Sequence, residues 1–430
     1  MNEREIKFDI PVFDFNKPPA IVYPAYAVNS YAVIRSLGIH GIPIIALDKE
    51  RSPTFKSRWV KPLISPDANI DPRGFIEFLV ELGKKLNQKA VLFMMNDLYA
   101  YMIIHHYEKL APYYYYNYIS LEVMDNCLDK YRMSLICDTA GVPQPRTAIF
   151  KKISDVSTVA EHCGFPCIVK PLIARFSYDG VNVNHINAFP DRFKSKAVRA
   201  NSIDELSAIF KITQEISVPI CVQEEIQGPP TNLYTVNLCT NEHSEIVAAF
   251  CGHKLRQFPP DFGTVTLGKS IIVPELIELS RKFIKEIKYR GMAGLEFKYD
   301  PRDKQYKFLE INPRDGQWIA LALASGVNLP LIAYRQLIGE DIPAYTEQIS
   351  KTKKWLDIRD DFEKYYLKYR KADDEHKLTF FRWLWGIIGA DIEAIWNLRD
   401  PIPGTIRLLS YLKSKACSIV RKVFRKNTGI

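Results

Sequence analysis

The sequence predicts a mixed α/β and α+β chain of two folded domains and a helical C-terminal extension, expected at residues 1–125, 126–345 and 346–430. Three observations predict it. Short apolar runs at residues 20–24, 42–47 and 90–95 alternate with helical patterns, the mark of a doubly wound parallel sheet. From residue 147 onward strands and helices alternate again, but the apolar runs at 233–239 and 246–252, and those at 293–299 and 306–311, follow one another with no helix between. Beyond residue 345 an aromatic cluster leads, past Pro401, Pro403 and Gly404, to one long amphipathic pattern. A length of 430 residues accommodates these parts at roughly 100 to 200 residues per domain. With 47% hydrophobic and 25% charged residues, the chain has a globular balance and not that of a disordered one.

The first run ends in Pro24, and Asn29 and Ser30 then read as caps of a helix over residues 31–38. The second run ends at Asp48 and the third at Asn96 and Asp97. Polar residues just past strand ends are where open parallel sheets bind ligands, although capping is the simpler account of Asn29, Ser30, Asp48 and Asp97. No GxGxxG follows the first strand, so a dinucleotide is not expected there. The tyrosines at 113–116 and 118 read as a packed surface strand or loop. Residues 120–141 read as one helix ended by Gly141, with Pro143 and Pro145 preventing its resumption. A strand at 147–150, a helix from about 154 and the apolar strand Cys167-Ile168-Val169, ending in Lys170-Pro171, come next. Ser202 and Glu205 mark a helix start, a strand covers 220–226, and Pro274 opens a helix to about residue 289.

The formal charge is +9, but residues 404–430 hold seven Lys and Arg and no Asp or Glu, so the rest of the chain is nearly neutral. The eight cysteines include no CxxC pair, which argues against a zinc knuckle or disulfide framework. The eight histidines show no HExxH, so any metal is expected on carboxylates. No apolar run reaches the roughly 18 to 20 residues of a membrane span, and residues 1–7 lack the apolar stretch of a signal peptide. The setting is read as reducing and cytoplasmic.

Four constellations carry chemistry. The strands flanking Asp300 to Asp303 each hold a carboxylate, Glu296 and Glu310, and the second continues Ile311-Asn312-Pro313-Arg314. Period-2 alternation puts Glu310 and Asn312 on one face. A turn of odd length, such as the five residues 301–305, would place Glu296 directly opposite Glu310. Facing carboxylates repel, so this register implies a divalent cation, with Asn312 as an oxygen ligand of the kind Mg2+ accepts; the opposite register implies a solvated hairpin. Lys170, at the end of an apolar strand, can carry its ammonium into a cleft, and nine residues on Asp179-Gly180 falls in a non-helical segment suited to a loop over phosphates. Gln223 to Pro229 could present acceptors and backbone groups to a flat heterocycle, or form a charged strand edge. Period 2 would also set Lys254 and Arg256 on one face as paired phosphate ligands, or as a basic surface strand.

The order and spacing of these segments resemble the ATP-grasp superfamily over residues 127–339, with a pre-ATP-grasp (Rossmann-like) domain before them. The resemblance rests on Asp129-Lys130, on Gly164-Phe165-Pro166-Cys167-Ile168-Val169-Lys170-Pro171, on residues 223–228, and above all on Gly294-Leu295-Glu296-Phe297 with Leu309-Glu310-Ile311-Asn312-Pro313-Arg314. It implies that Lys130 and Lys170 contact ATP phosphates and that Glu224, Glu225 and Ile226 form the adenine hinge. It also implies that Glu296, Glu310 and Asn312 hold two Mg2+ ions, for which Mn2+ could substitute, and that Arg314 stabilises a phosphorylated intermediate. Lys254 and Arg256 would face the γ-phosphate. Within the superfamily the chain looks most like carboxylate–amine ligases of the D-aspartate ligase and carbamoyl-phosphate-synthetase-like group. The function expected is ATP-dependent amide formation between a small carboxylate and an amine. A non-catalytic ATP-binding regulator or scaffold at the membrane surface is the alternative. Two departures stand out: the phosphate-loop segment holds one glycine, and residues 229–233 lack the acid often found past the hinge.

The final helix gathers Leu408, Leu409, Leu412, Ala416, Ile419, Val420 and Val423 on one side, with Arg407, Lys415, Arg421, Lys422 and Arg425 opposite. This pattern fits either docking on an anionic membrane, at its inner face, or packing on the body with the basic side in solvent. Nucleic-acid binding is not expected, since no base-reading motif accompanies the basic tail. The sequence sets no oligomeric state.

Overall fold

The computed structural model describes residues 8–173, 188–259, 262–314, 316–367 and 378–428. The N-terminal domain runs β1 (Ala20–Tyr23), α1 (Val28–Ile39), β2 (Ile44–Asp48), β3 (Val60–Ile64), α2 (Pro72–Lys84), β4 (Ala90–Met94), α3 (Asp97–His105), α4 (Tyr107–Leu110) and β5 (Tyr114–Tyr115). β1, β2 and β4 are apolar nearly throughout and buried at every position, as strands covered on both faces must be. All five strands pair parallel in the order β3-β2-β1-β4-β5. Strand order reverses between β1 and β4, whose carboxyl ends therefore open the crevice such sheets use for ligands. Asn29 and Ser30 lie inside α1 and do not cap it: Ser30 Oγ donates to the Pro24 carbonyl at 2.6 Å, and Asn29 Nδ2 to that of Met95 at 3.4 Å.

Two helices, α5 (Leu121–Leu128) and α6 (Lys130–Ala140), replace the single one expected over 120–141. Asp129 breaks it, because in extended conformation its carboxylate accepts from the N–H groups of Tyr131 and Arg132, both at 2.9 Å. Lys130 thereby becomes the first residue of α6.

A four-stranded antiparallel sheet follows, from β6 (Thr147–Ile149), α7 (Val156–Cys163), β7 (Cys167–Pro171), α8 (Ala188–Phe193), β8 (Val198–Ala200), α9 (Ile203–Glu215) and β9 (Ile220–Glu224), in the order β6-β9-β7-β8. Cys167, Val169, Ile220 and Val222 bury one face against α7 and α9, so alternation turns Lys170 and Gln223 to the other.

The larger sheet comprises β10 (Leu233–Thr240), β11 (Ile246–Phe258), β12 (Thr264–Ser270), β13 (Gly291–Asp300), β14 (Gln305–Asn312), β15 (Lys354–Leu356) and β16 (Ile392–Glu393), in the order β14-β13-β10-β11-β12-β15-β16. Between its strands the chain forms α10 (Pro274–Ile287), α11 (Ile319–Ala324) and α12 (Leu329–Leu337). Val236, Leu295, Phe297 and Ile311 share a core with Phe283 and Ile284 of α10. The opposite face of the same strands is polar.

Residues 346–430 are not the purely helical extension expected, since β15 and β16 extend the larger sheet. Asp361, fully buried, ties this region down by accepting from Arg256 Nη1 (2.8 Å), Trp383 Nε1 (2.8 Å) and Thr266 Oγ1 (2.7 Å). The helix Phe380–Ile387 passes so close to Arg256 that a Cβ at Gly386 would lie 1.9 Å from Nη2. The buried Arg35 of α1 pairs with Asp400 at 3.6 Å. In the C-terminal helix Pro401–Thr428, Leu408, Leu409 and Leu412 are 53%, 59% and 53% exposed. Arg407, by contrast, points inward and Lys415 pairs with Glu363. Over its described side chains the helix thus turns its leucines outward and Arg407 and Lys415 toward the body, with Lys413 exposed, the reverse of an amphipathic helix packed by its apolar side. Among the described residues no helix is long and apolar enough to cross a membrane.

Candidate active site

Glu296 and Glu310 stand directly opposite each other across β13 and β14. The hairpin reaches this register by a route the sequence did not suggest. Asp300 pairs with Gln305, so the turn has four residues, an even number that alone would set Glu296 against Leu309. A bulge at Leu309 adds the missing residue: Phe297 pairs with Phe308, and Glu296 with Glu310. Asn312 follows two residues on and faces the same way.

These three side chains line a cavity of about 930 Å³ between the two sheets, bounded on one side by the N-terminal domain. Lys130, Lys170, Lys196 and Lys254 line it too. Lys254 Nζ lies 2.9 Å from Glu296 Oε2, and Lys170 Nζ donates to Gln223 Oε1 at 2.9 Å. Burial alone would push the Glu310 carboxyl up, but Lys130, Lys170, Lys254 and Lys196 together hold it below the usual carboxylate range. Burial pulls the Lys170 ammonium down, and Glu310 opposes that most. Four cations around two glutamates leave an excess of positive charge, which suits a polyphosphate. For Mg2+, Glu296, Glu310 and Asn312 fit: two carboxylates and an amide leave the rest of an octahedral shell for phosphate oxygens and water. Among the described residues no group of three His, Cys, Asp or Glu side chains could hold a metal ion by itself.

A smaller cavity of about 110 Å³ is lined by Gln223, Glu224, Glu225, Ile226 and Gly228, and has Lys170, Leu233, Phe262 and Leu309 in common with the first. The hinge segment is therefore beside the lysines, but its carboxylates are engaged elsewhere. Glu224 accepts from Arg146 Nε at 3.1 Å and Arg302 Nη2 at 2.7 Å, and Glu225 from Arg199 Nε at 2.7 Å. Burial acts to raise the Glu224 carboxyl, yet the two arginines hold it low.

Arg256 does not join Lys254. Bulges on either side of it interrupt the pairing of β11 with β12, so period 2 fails. Gln257 lines the cavity with Lys254, while Arg256 is turned to Asp361. Arg314 does line the cavity, where its Nε lies 2.7 Å from Asp97 Oδ1 and its Nη2 3.3 Å from Asn312 Oδ1. Asp179 and Gly180 lie outside the described residues. Sequence reasoning missed Lys196, Thr235, Asn237, Arg359 and Arg407 as cavity residues, and gave Asp97 to capping; that role belongs to Asn96, whose Oδ1 accepts from Leu98 N–H at 2.9 Å. Period 2 along β10 could have found Thr235 and Asn237, whereas nothing local marks the rest.

The two sheets close on a cationic cleft that holds the opposed carboxylates. A family model described as ATP-grasp in the biosynthetic pathway with Ter operon matches residues 264–360. D-aspartate ligase of Enterococcus faecium is 24% identical over 348 residues, 76% of this chain and 78% of that protein. Among solved structures, N5-carboxyaminoimidazole synthetase from Staphylococcus aureus superposes with a TM-score of 0.60 at 15% identity, over 81% of this chain and 83% of that one. L-amino acid ligase from Bacillus licheniformis gives 0.56 at 14% identity, over 80% of each chain. Over most of its length the chain is thus similar in sequence to D-aspartate ligase and shares the fold of these synthetase and ligase structures, and over residues 264–360 it matches the ATP-grasp model.

Proposed function

We propose that the chain activates a small-molecule carboxylate as an acyl phosphate with ATP and joins it to an amine through an amide bond. The observation that supports this most is the opposed Glu296–Glu310 pair, with Asn312, among four lysines. A carboxylate does not acylate an amine near neutral pH because oxide is a poor leaving group. In the first step a carboxylate oxygen bonds to the γ-phosphorus while the bond to the β–γ bridging oxygen breaks, and ADP departs with that electron pair. In the second, the amine nitrogen bonds to the acyl carbon, the C–O bond to phosphate breaks, phosphate leaves, and the nitrogen gives its proton to solvent.

Charge spreads over the γ-phosphoryl oxygens during the first step. Lys130, Lys170, Lys196 and Lys254 meet it as cations already fixed in a partly dehydrated cleft, and Arg314 stands beside Asn312 to act on the phosphorylated substrate. Mg2+, as two ions in this reading and with Mn2+ as a substitute, would be held by Glu296, Glu310 and Asn312 and would neutralise phosphate charge. The adenine would lie in the smaller cavity against residues 224–226, met by backbone groups and apolar walls, since both glutamates serve arginines.

ADP release measured over a panel of carboxylates and amines, amino acids foremost because of the relatives' chemistry, tests the reading. Release that requires both partners is expected. A protein that binds ATP yet releases no ADP with any pair would be the regulator or scaffold instead.

The reading extends to where the enzyme sits: a cytoplasmic protein held at an anionic membrane surface by the C-terminal helix. The outward leucines support it, as do the exposed Phe381 and Trp385, both 80% accessible, and the seven Lys and Arg with no acid in residues 404–430. Co-sedimentation with phosphatidylglycerol vesicles but not with phosphatidylcholine vesicles is expected, and is lost in the Leu408→Ser, Leu409→Ser, Leu412→Ser variant. Equal recovery with both vesicles excludes it.

A further inference from the structure

The C-terminal helix also reaches the reaction cavity. Arg407, from its second turn, lines the same cavity as Glu310, together with Arg359 and Asp360 of the turn after β15. Across from them the wall includes Tyr26 and Asn29, just past β1, and Asp97, just past β4, which is the crevice where strand order reverses. These residues come from the C-terminal region and the N-terminal domain, not from the segments that carry the lysines and the hinge.

The two arginines are not equally committed. Arg359 gives Nε and Nη2 to Asp360 Oδ1, at 3.1 and 2.8 Å. Arg407 has a side chain 17% exposed, its Nη2 is 3.9 Å from Asp357 Oδ2, and its buried Nη1 has no hydrogen-bond partner. Asp357 meanwhile accepts from the Asp360 N–H at 3.1 Å. A guanidinium has five donors in a planar fork that matches a carboxylate, and a buried donor left unmatched is costly. An arginine held this way at a cavity wall has part of its fork still unmatched.

We propose that Arg407 binds a free carboxylate on one of the two substrates, other than the carboxylate being activated, so that the C-terminal extension selects an amino acid or dicarboxylate. The inference rests on the ligase reading for the location of the reaction, but it is a statement about binding and is tested as such. Arg314 has another role in that reading, its Nε beside Asp97 and its Nη2 on Asn312. A neutral amide of the same shape would place an NH2 against the guanidinium and lose one arm of the fork.

Calorimetric titration of the full chain, with Mg2+ and a non-hydrolysable ATP analogue present, provides the test. The probes are the common amino acids, succinate and glutarate, each compared with its α-carboxamide or half-amide. Wild type is expected to bind at least one free acid about 10- to 100-fold tighter than its amide, the range of a charge-assisted pair. Arg407→Met is expected to lose that preference with ATP-analogue affinity within about twofold, and Arg407→Lys to recover part of it. Thermal unfolding of each variant separates lost binding from lost folding, and Arg359→Met, at the same wall, serves as a second probe should Arg407→Met unfold. No saturable binding of any free acid to wild type, or an acid preference undiminished in a folded Arg407→Met, overturns the proposal. Binding without ADP release would leave this subsite standing and remove the ligase reading instead.

Discussion

Arg314 Nε and Asp97 Oδ1 lie 2.7 Å apart, linking the segment just past β14 to the first residue of α3. The pair fixes a cation of the larger sheet against the mouth of the N-terminal sheet, where it also meets Asn312. In the proposed reaction Asp97 would therefore be a positioning residue, holding Arg314 toward the reacting group. Asp97→Asn is expected to lower kcat by up to about 100-fold, as small misplacements of a reacting constellation do, while KM for ATP stays within about twofold. Asp97→Glu should restore part of kcat. Steady-state kinetics of both variants decide it, and an Asp97→Asn enzyme with unchanged kcat would separate the ion pair from catalysis.

Glu310→Gln is expected to abolish ATP turnover while circular dichroism shows a folded chain. The amide keeps the shape of the side chain but not the charge that faces Lys130, Lys170, Lys254 and Lys196. Because the folded carboxyl is held below its ordinary value of 4.5, its stabilising contribution is complete above that pH and is lost as pH falls through the lower folded value. The variant should accordingly show a flatter loss of stability below pH 4.5 than wild type. Full activity in Glu310→Gln would sink the site assignment.

Asp361 accepts from three donors, Arg256 among them, so Asp361→Asn is expected to cost about 3–5 kcal/mol, the range for breaking a buried ion pair. Arg256→Met should lower stability similarly and leave KM for ATP nearly unchanged, since Arg256 faces away from the cavity. Urea unfolding paired with KM measurements distinguishes this role from that of a phosphate ligand, which would raise KM with little loss of stability.

His253 is stacked on Tyr234 with ring centroids 4.6 Å apart, and its Nε2 lies 2.5 Å from the Thr231 carbonyl. That contact requires the proton on Nε2, and the buried Nδ1 has no partner to receive a second proton's charge. Burial, with Lys269 nearby, moves the imidazole below the ordinary histidine value of 6.5, against the pull of the Thr231 carbonyl. Between the folded value and 6.5 the unfolded chain binds more protons, so stability falls as pH drops below 6.5. His253→Gln, which keeps a donor, should flatten unfolding free energy against pH in that window.

Much of this arrangement could be read along the chain wherever it depended on neighbours in sequence. The apolar runs of β1, β2 and β4 gave the parallel sheet, and Glu296, Glu310 and Asn312 stood out by residue type and spacing. The helix over 120–141 was misread because Asp129 can satisfy two N–H groups as a cap, and that local bond defeats an otherwise continuous helical pattern. The hairpin register was right for a reason the sequence did not reveal, since a four-residue turn and a bulge at Leu309 together do what an odd turn would have done. Arg256 was misassigned by the same device, as bulges reset the alternation that period 2 assumes.

By itself the sequence determined the layered fold, the two carboxylates and three of the four lysines of the cavity, and the basic, amphipathic character of the tail, because periodicity, residue type and charge are local properties. The tertiary structure alone decided which cations meet which anions. Asp97 with Arg314, Arg256 with Asp361, and Arg407 at the cavity wall are each joined by packing between segments far apart in the chain. A burial pattern can say that a residue is inside, but bulges, caps and docking set where its charge points. That is also why the tail, which read as a matter of where the protein sits, proved in its first turns to be part of the cavity wall.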